Sequence, residues 1–132
     1  MADTVDSKTL FSGRRRYIVK FTNISDGTGE SAVVKVTKSS LTGPNGSAPS
    51  KIVIEEVQWS VQGFSSVRVF WDHTTDDEAL VLGAGVGYMN FVAAGGNIDP
   101  ASSGGTGDII FTTAGAVSGA TYDVTLVLRL KD

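Results

Sequence analysis

Cysteine is absent from this chain of 132 residues, histidine occurs once and proline three times. Without cysteine there is no disulfide and no thiolate metal ligand, and the fold suits a reducing compartment. Basic residues are outnumbered 11 to 14, and the formal net charge of −3 argues against a general nucleic-acid binder, which would carry a basic surface. No apolar run approaches the roughly 20 residues that a membrane-crossing helix needs. Residues 1–8 lack the basic start and apolar core of a secretion signal. The expectation is a protein made soluble inside a cell, with neither nucleic acid nor membrane as a partner.

What is present is alternation. In the stretch 122–131, Tyr122, Val124, Leu126, Leu128 and Leu130 fall on one face, while Asp123, Thr125, Arg129 and Lys131 fall on the other. Only Val127 interrupts the polar face. A period of two marks a strand with one buried and one wet side, the habit of antiparallel sheets. Sixteen glycines and few helix-forming runs favour strands joined by tight turns.

The rest of the chain reads in the same way. Residues 1–13 are polar and mixed in charge, an N-terminal arm that is either extended or a short edge strand. Alone they cannot bury enough surface to offset their ordering entropy, so they are expected to order against a partner. Residues 14–132 form one β-sandwich domain. Its strands are read at 16–24 (Tyr17, Val19 and Phe21 inward), 32–37 (Ala32, Val34 and Val36 inward) and 51–62. In the last of these Val53, Val57, Trp59 and Val61 share a face with Glu55. Gly63 is read as the end of that strand, with a hairpin partner restarting at 66–72. Strands at 79–82 and 86–92 flank a Gly83-Ala-Gly pivot. Those at 108–113 and 121–131 complete the set, and loops cover 39–50 and 93–107. About eight strands with frequent turn signals describe an all-β, antiparallel, jelly-roll-like sandwich. Trp59, Trp71, Val124, Leu126 and Leu128 are expected in one core.

Candidate chemistry is sparse. Residues 72–78 (DHTTDDE) gather carboxylates and His73, the lone histidine. Their spacing lacks the Gly and Glu positions of a calcium-binding loop, so they read as a solvated turn, with cation binding left open. No Gly-x-Ser-x-Gly elbow surrounds a serine that His73 could activate. The glycines at 83–87 and 104–107 lead into strands and offer no helix N-terminus to a phosphate. No catalytic residue, cofactor site or metal site is assigned. Arg14, Arg15 and Arg16 are the one concentrated positive patch. They are either a solvated strand start or a docking contact for carboxylates on a protein partner.

Residues 22–36 (TNISDGTGESAVVKV), 61–76 (VQGFSSVRVFWDHTTD) and 105–123 (GTGDIIFTTAGAVSGATYD) resemble small virion structural proteins of tailed bacteriophages. The likeness covers most of the chain beyond the arm and is greatest to capsid decoration (cement) proteins. It implies a non-enzymatic jelly roll on the outer capsid surface of the virion, made in the host cytoplasm. Such a protein bridges neighbouring copies of the major capsid protein, often as a homo-oligomer, dimer or trimer. It supplies no active-site residues. A phage tail or head-fibre component is the alternative within virion proteins, and a carbohydrate-binding β-sandwich the alternative outside them.

Overall fold

The computed structural model describes residues 3–73, 75–98 and 106–131. They form eight strands: β1 (Thr4–Ser12), β2 (Arg16–Asp26), β3 (Val33–Val36), β4 (Lys51–Trp71), β5 (Asp77–Asn90), β6 (Asn97–Ile98), β7 (Ile109–Ala114) and β8 (Ser118–Lys131). Every pairing is antiparallel. Two short 3₁₀ turns, Lys38–Ser40 and Val92–Ala94, are the only helical pieces among the described residues.

The pairing defines the architecture. β2 pairs with β8, β3 with β7, and β4 with β5, so most of the chain is one antiparallel ribbon. The ribbon rolls up because β4 changes partner along its length. Residues 51–62 of β4 lie against β8, and residues 66–71 lie against β7. One sheet therefore runs β1, β2, β8, the first half of β4 and the second half of β5. The other runs β3, β7, the second half of β4 and the first half of β5. This is a jelly roll, with the all-β antiparallel pattern that the alternation predicts.

Three sequence expectations change at the roll. Gly63 does not end a strand, and residues 51–62 and 66–72 are not a hairpin. β4 continues through Gly63, whose φ of 86° lets the strand bend without breaking. The inward face passes from Val61 through Phe64 to Val67, a phase shift that a strict period of two misses. Residues 79–82 and 86–92 are likewise not two strands, because β5 runs unbroken from Asp77 to Asn90. The Gly83–Gly85 pivot is its bend, matching the register shift opposite it in β4. In β3 a bulge between Val34 and Val36 changes the reading ahead of it, while Val36 is buried as expected. Val34 is exposed, Ala32 is exposed just ahead of the strand, and the Lys35 side chain turns inward.

A second bulge falls at Glu55, between Ile54 and Glu56. It removes Glu55 from the face it was expected to share with Val57 and Val61, and brings Ile52 and Ile54 into the core. Val19, Phe21, Trp71, Val124, Leu126 and Leu128 fill the space between the sheets. Trp59 packs at its margin, half-buried. Phe111 sits centrally, 5.3 Å from the Phe21 ring and 5.8 Å from Tyr122, which lies 5.9 Å from Phe64. Residues 4–12, the greater part of the N-terminal arm, are laid along β2 from Thr4 opposite Ile24 to Ser12 opposite Tyr17. Of the loop read at 93–107, residues 99–105 lie outside the described residues, and its start holds the end of the 3₁₀ turn Val92–Ala94 and the short strand β6, which pairs with β4.

Candidate functional site

The jelly roll gathers positive charge at one end. β2 begins where β8 ends, so Arg16 stands opposite Arg129, and the Arg15 carbonyl accepts the Leu130 amide at 2.8 Å. β4 begins beside the same end of β8, with Lys51 opposite Lys131. The Ser50 amide bonds the Lys131 carbonyl at 2.8 Å, and Lys38 Nζ donates to the Ser50 carbonyl at 3.0 Å. The Arg14 guanidinium lies over Gly46 in the loop between β3 and β4. Arg14, Arg15, Arg16, Lys38, Lys51, Arg129 and Lys131 thus meet at one end, seven of the 11 basic residues of a net-acidic chain.

Within this end the three arginines of the sequence cluster have separate surroundings. Arg16 bonds Glu55 at 3.2 Å, and Glu55 is buried there by its bulge. Arg14 lines a shallow depression with Tyr17 and Leu41. Arg15 lines a different one with Arg129 and Lys131. Sequence reasoning isolated Arg14, Arg15 and Arg16 but missed Arg129, Lys131, Lys38 and Lys51. Their only local signal was the wet-face position of Arg129 and Lys131 in the alternation.

At the far end of β2 the chemistry inverts. Asp3 accepts hydrogen bonds from the Ser25 hydroxyl at 3.0 Å, the Asp26 amide at 3.2 Å and the Asn23 amide group at 3.1 Å. Burial alone would raise its pKa. These donors outweigh it and hold Asp3 at about 2. Asn23 also donates to Glu30 at 3.2 Å, and Glu30 accepts the Tyr122 hydroxyl. Burial, reinforced by Glu30, pushes the Tyr122 phenol far above its ordinary value, so it stays a donor.

The acidic turn at 72–78 disperses its groups. Asp72 accepts from Thr106 at 3.0 Å, Asp76 from the His73 amide at 3.1 Å, and Glu78 pairs with Arg68. His73 Nε2 lies 3.8 Å from Asp77. Among the described residues no three His, Asp or Glu side chains converge in a way that could hold a metal ion. Gly83, Gly85 and Gly87 lie inside β5 and form no phosphate loop.

No protein family matches this chain, and no curated protein matches it. Among solved structures it is similar to a cupin superfamily protein from Desulfitobacterium hafniense, at 13% identity and TM-score 0.38, covering 100% of this chain and 82% of that one. A cupin-like protein from Desulfovibrio desulfuricans gives 12% identity and TM-score 0.34 over 92% and 80% of the two chains. The virus-like particle protein of the extra small virus of Macrobrachium rosenbergii gives 18% identity and TM-score 0.30 over 99% and 78%. Likenesses this distant carry no inference about activity, and the jelly-roll assignment rests on the strand pairing itself.

Proposed function

We propose that this chain is a non-enzymatic structural protein of a tailed-phage virion. It decorates the outside of the shell and bridges neighbouring copies of the major capsid protein, as a dimer or trimer of itself. The observation that carries this reading is the basic end, a concentrated positive surface on a protein whose net charge is negative. Such a surface steers and orients docking on an acidic protein partner. The interior supports the reading too, because Phe21, Phe64, Phe111 and Tyr122 fill the place where ligand-binding barrels keep a cavity. Arg14, Arg15 and Arg16 are the docking contacts on this reading, with Arg16 held in place by Glu55.

The test is to mix purified protein with undecorated shells and image the particles by electron cryomicroscopy. Ordered density at joints between capsomers, with the basic end facing the shell, is expected. A variant with Arg14 and Arg15 changed to Ala, Arg16 being kept for its buried partner Glu55, should fold normally yet occupy fewer sites. Bare shells at saturating protein, or density only at the tail, overturn the reading.

One observation favours a carbohydrate-binding module instead. Trp59 and the exposed Tyr88 line an open surface groove of about 540 Å³ with Lys20, Gln58 and Asp123. An aromatic pair beside polar groups is a platform on which a sugar ring can stack. Quenching of Trp59 fluorescence by oligosaccharides, lost in Tyr88→Ala, would select this second reading.

A further inference from the structure

Arg129 is the residue that the basic end leaves unanswered. It stands directly opposite Arg16 on one side and Val53 on the other. Like charges facing each other across a ladder repel, and an anion between them reverses the sign. The carboxylate at this point, Glu55, answers Arg16. Arg129 Nε is buried and has no hydrogen-bond partner among the described residues. A buried N–H on a charged group is normally bonded, because leaving it unmade forfeits its hydration without replacement.

Arg129 borders an open cavity of about 570 Å³, with Arg15, Pro44, Asn45, Leu130 and Lys131 as its other walls. Backbone bonds fix this frame. Leu130 is tied to Arg15, and Lys131 is tied to Ser50. Arg15 on one segment, and Arg129 and Lys131 on another, therefore border one space.

We infer that this cavity is a binding site for a carboxylate. Arg15 and Arg129 present guanidinium donors to its oxygens, and Lys131 adds a third positive charge. Guanidinium groups suit this ligand because their paired N–H donors match the spacing of two carboxylate oxygens. Phosphate shares that chemistry, but the net negative charge of the chain opposes a polyphosphate backbone, while Pro44 gives an apolar wall that fits a peptide side chain. The inference rests on the shell-docking reading only in naming the source of the carboxylate, an acidic segment of the shell protein.

The experiment is a titration of the isotope-labelled full chain with triglutamate at constant ionic strength, following the arginine Nε–Hε resonances. Arg129 is expected to shift and saturate, while Arg68, already paired with Glu78, stays in place. Arg15→Gln and Lys131→Gln, both at exposed positions, should each weaken the apparent affinity several-fold with an unchanged melting midpoint. A linear drift of Arg129 that sodium chloride reproduces overturns the site. Tighter saturation by inorganic phosphate than by triglutamate overturns the carboxylate assignment. The same variants on shells separate the two proposals. Saturable triglutamate binding on a protein that leaves shells bare supports the site and overturns the shell reading. Absent triglutamate binding on a protein that decorates shells overturns the site alone.

Discussion

Lys35 Nζ lies 2.5 Å from Glu30 Oε2, and the two side chains are only 8% and 5% exposed. The ammonium also stands 5.8 Å from the Phe111 ring centre and 5.9 Å from that of Tyr122. Glu30 in turn accepts from Asn23 and Tyr122, so a buried charge pair ties the start of β3 to β2 and β8. The bulge in β3 makes this possible by turning Lys35 inward.

Removing one partner of this pair should cost far more than removing both. Lys35→Met leaves the Glu30 carboxylate buried without its cation, a loss of about 3–5 kcal/mol. Adding Glu30→Gln should recover much of that loss, since the neutral amide leaves no uncompensated buried charge and its oxygen can still accept from Asn23 and Tyr122. Urea denaturation midpoints of the two single variants and the double variant measure the coupling. Simply additive losses would show that the pair is not coupled.

Asp3 gives the protein an acid sensitivity of defined sign. Its folded pKa, about 2, lies below the ordinary 3.8, so its contribution to stability is full above about pH 4 and fades as pH falls through about 2. Its partners lie in the stretch 23–29, beside the start of β1. Hydrogen exchange of β1 amides should therefore quicken in wild type as pH drops across that window, once corrected for intrinsic exchange. Asp3→Asn should exchange fast at neutral pH and show little further change. Parallel pH profiles for the two proteins would remove Asp3 from the account.

The bend in β4 depends on Gly63. Its φ of 86° lies where side chains are strained, and an added Cβ would stand 2.9 Å from Ala120 Cβ and 3.0 Å from Ala120 Cα. Gly63→Ala should destabilise by about 1–3 kcal/mol. Gly83, on the opposite strand, has open space around the same position, and Gly83→Ala should change stability by less than about 0.5 kcal/mol. Thermal melting of the two variants side by side checks the contrast.

Leu126 is fully buried at the centre of β8, with β2 on one side and β4 on the other. Leu126→Ala should cost about 2–5 kcal/mol, the range for a cavity that its surroundings cannot close. An unchanged unfolding midpoint would place that face of β8 outside the core.

How much of this was legible beforehand differs from strand to strand. In β8, Tyr122, Val124, Leu126, Leu128 and Leu130 are all buried, as their alternation predicts. In β2 the same holds for Val19 and Phe21. β4 and β5 were legible as strands but not as unbroken ones, because glycine marks a bend and a turn in the same way. Trp59 was read as core, yet Gly87 opposite it leaves room for the ring to lie across β5, at the margin of the core and half-buried.

Alternation along a strand is a local property, since the pleat alone sends neighbouring side chains to opposite faces. The sequence by itself therefore determined the strands, the inward faces of β2 and β8, and the all-β class. Pairing is not local. A bulge adds one residue to one strand only, and its position is settled by the partner it faces, which is why the inward turn of Lys35 and the departure of Glu55 from the face of Val57 could not be read ahead. Pairing and roll together decided which ends meet. The ribbon brought Arg129 and Lys131 to Arg15 across more than 100 positions of sequence, because β2 and β8 are its two paired strands at the open end. The roll then laid the start of β4, with Lys51, against β8.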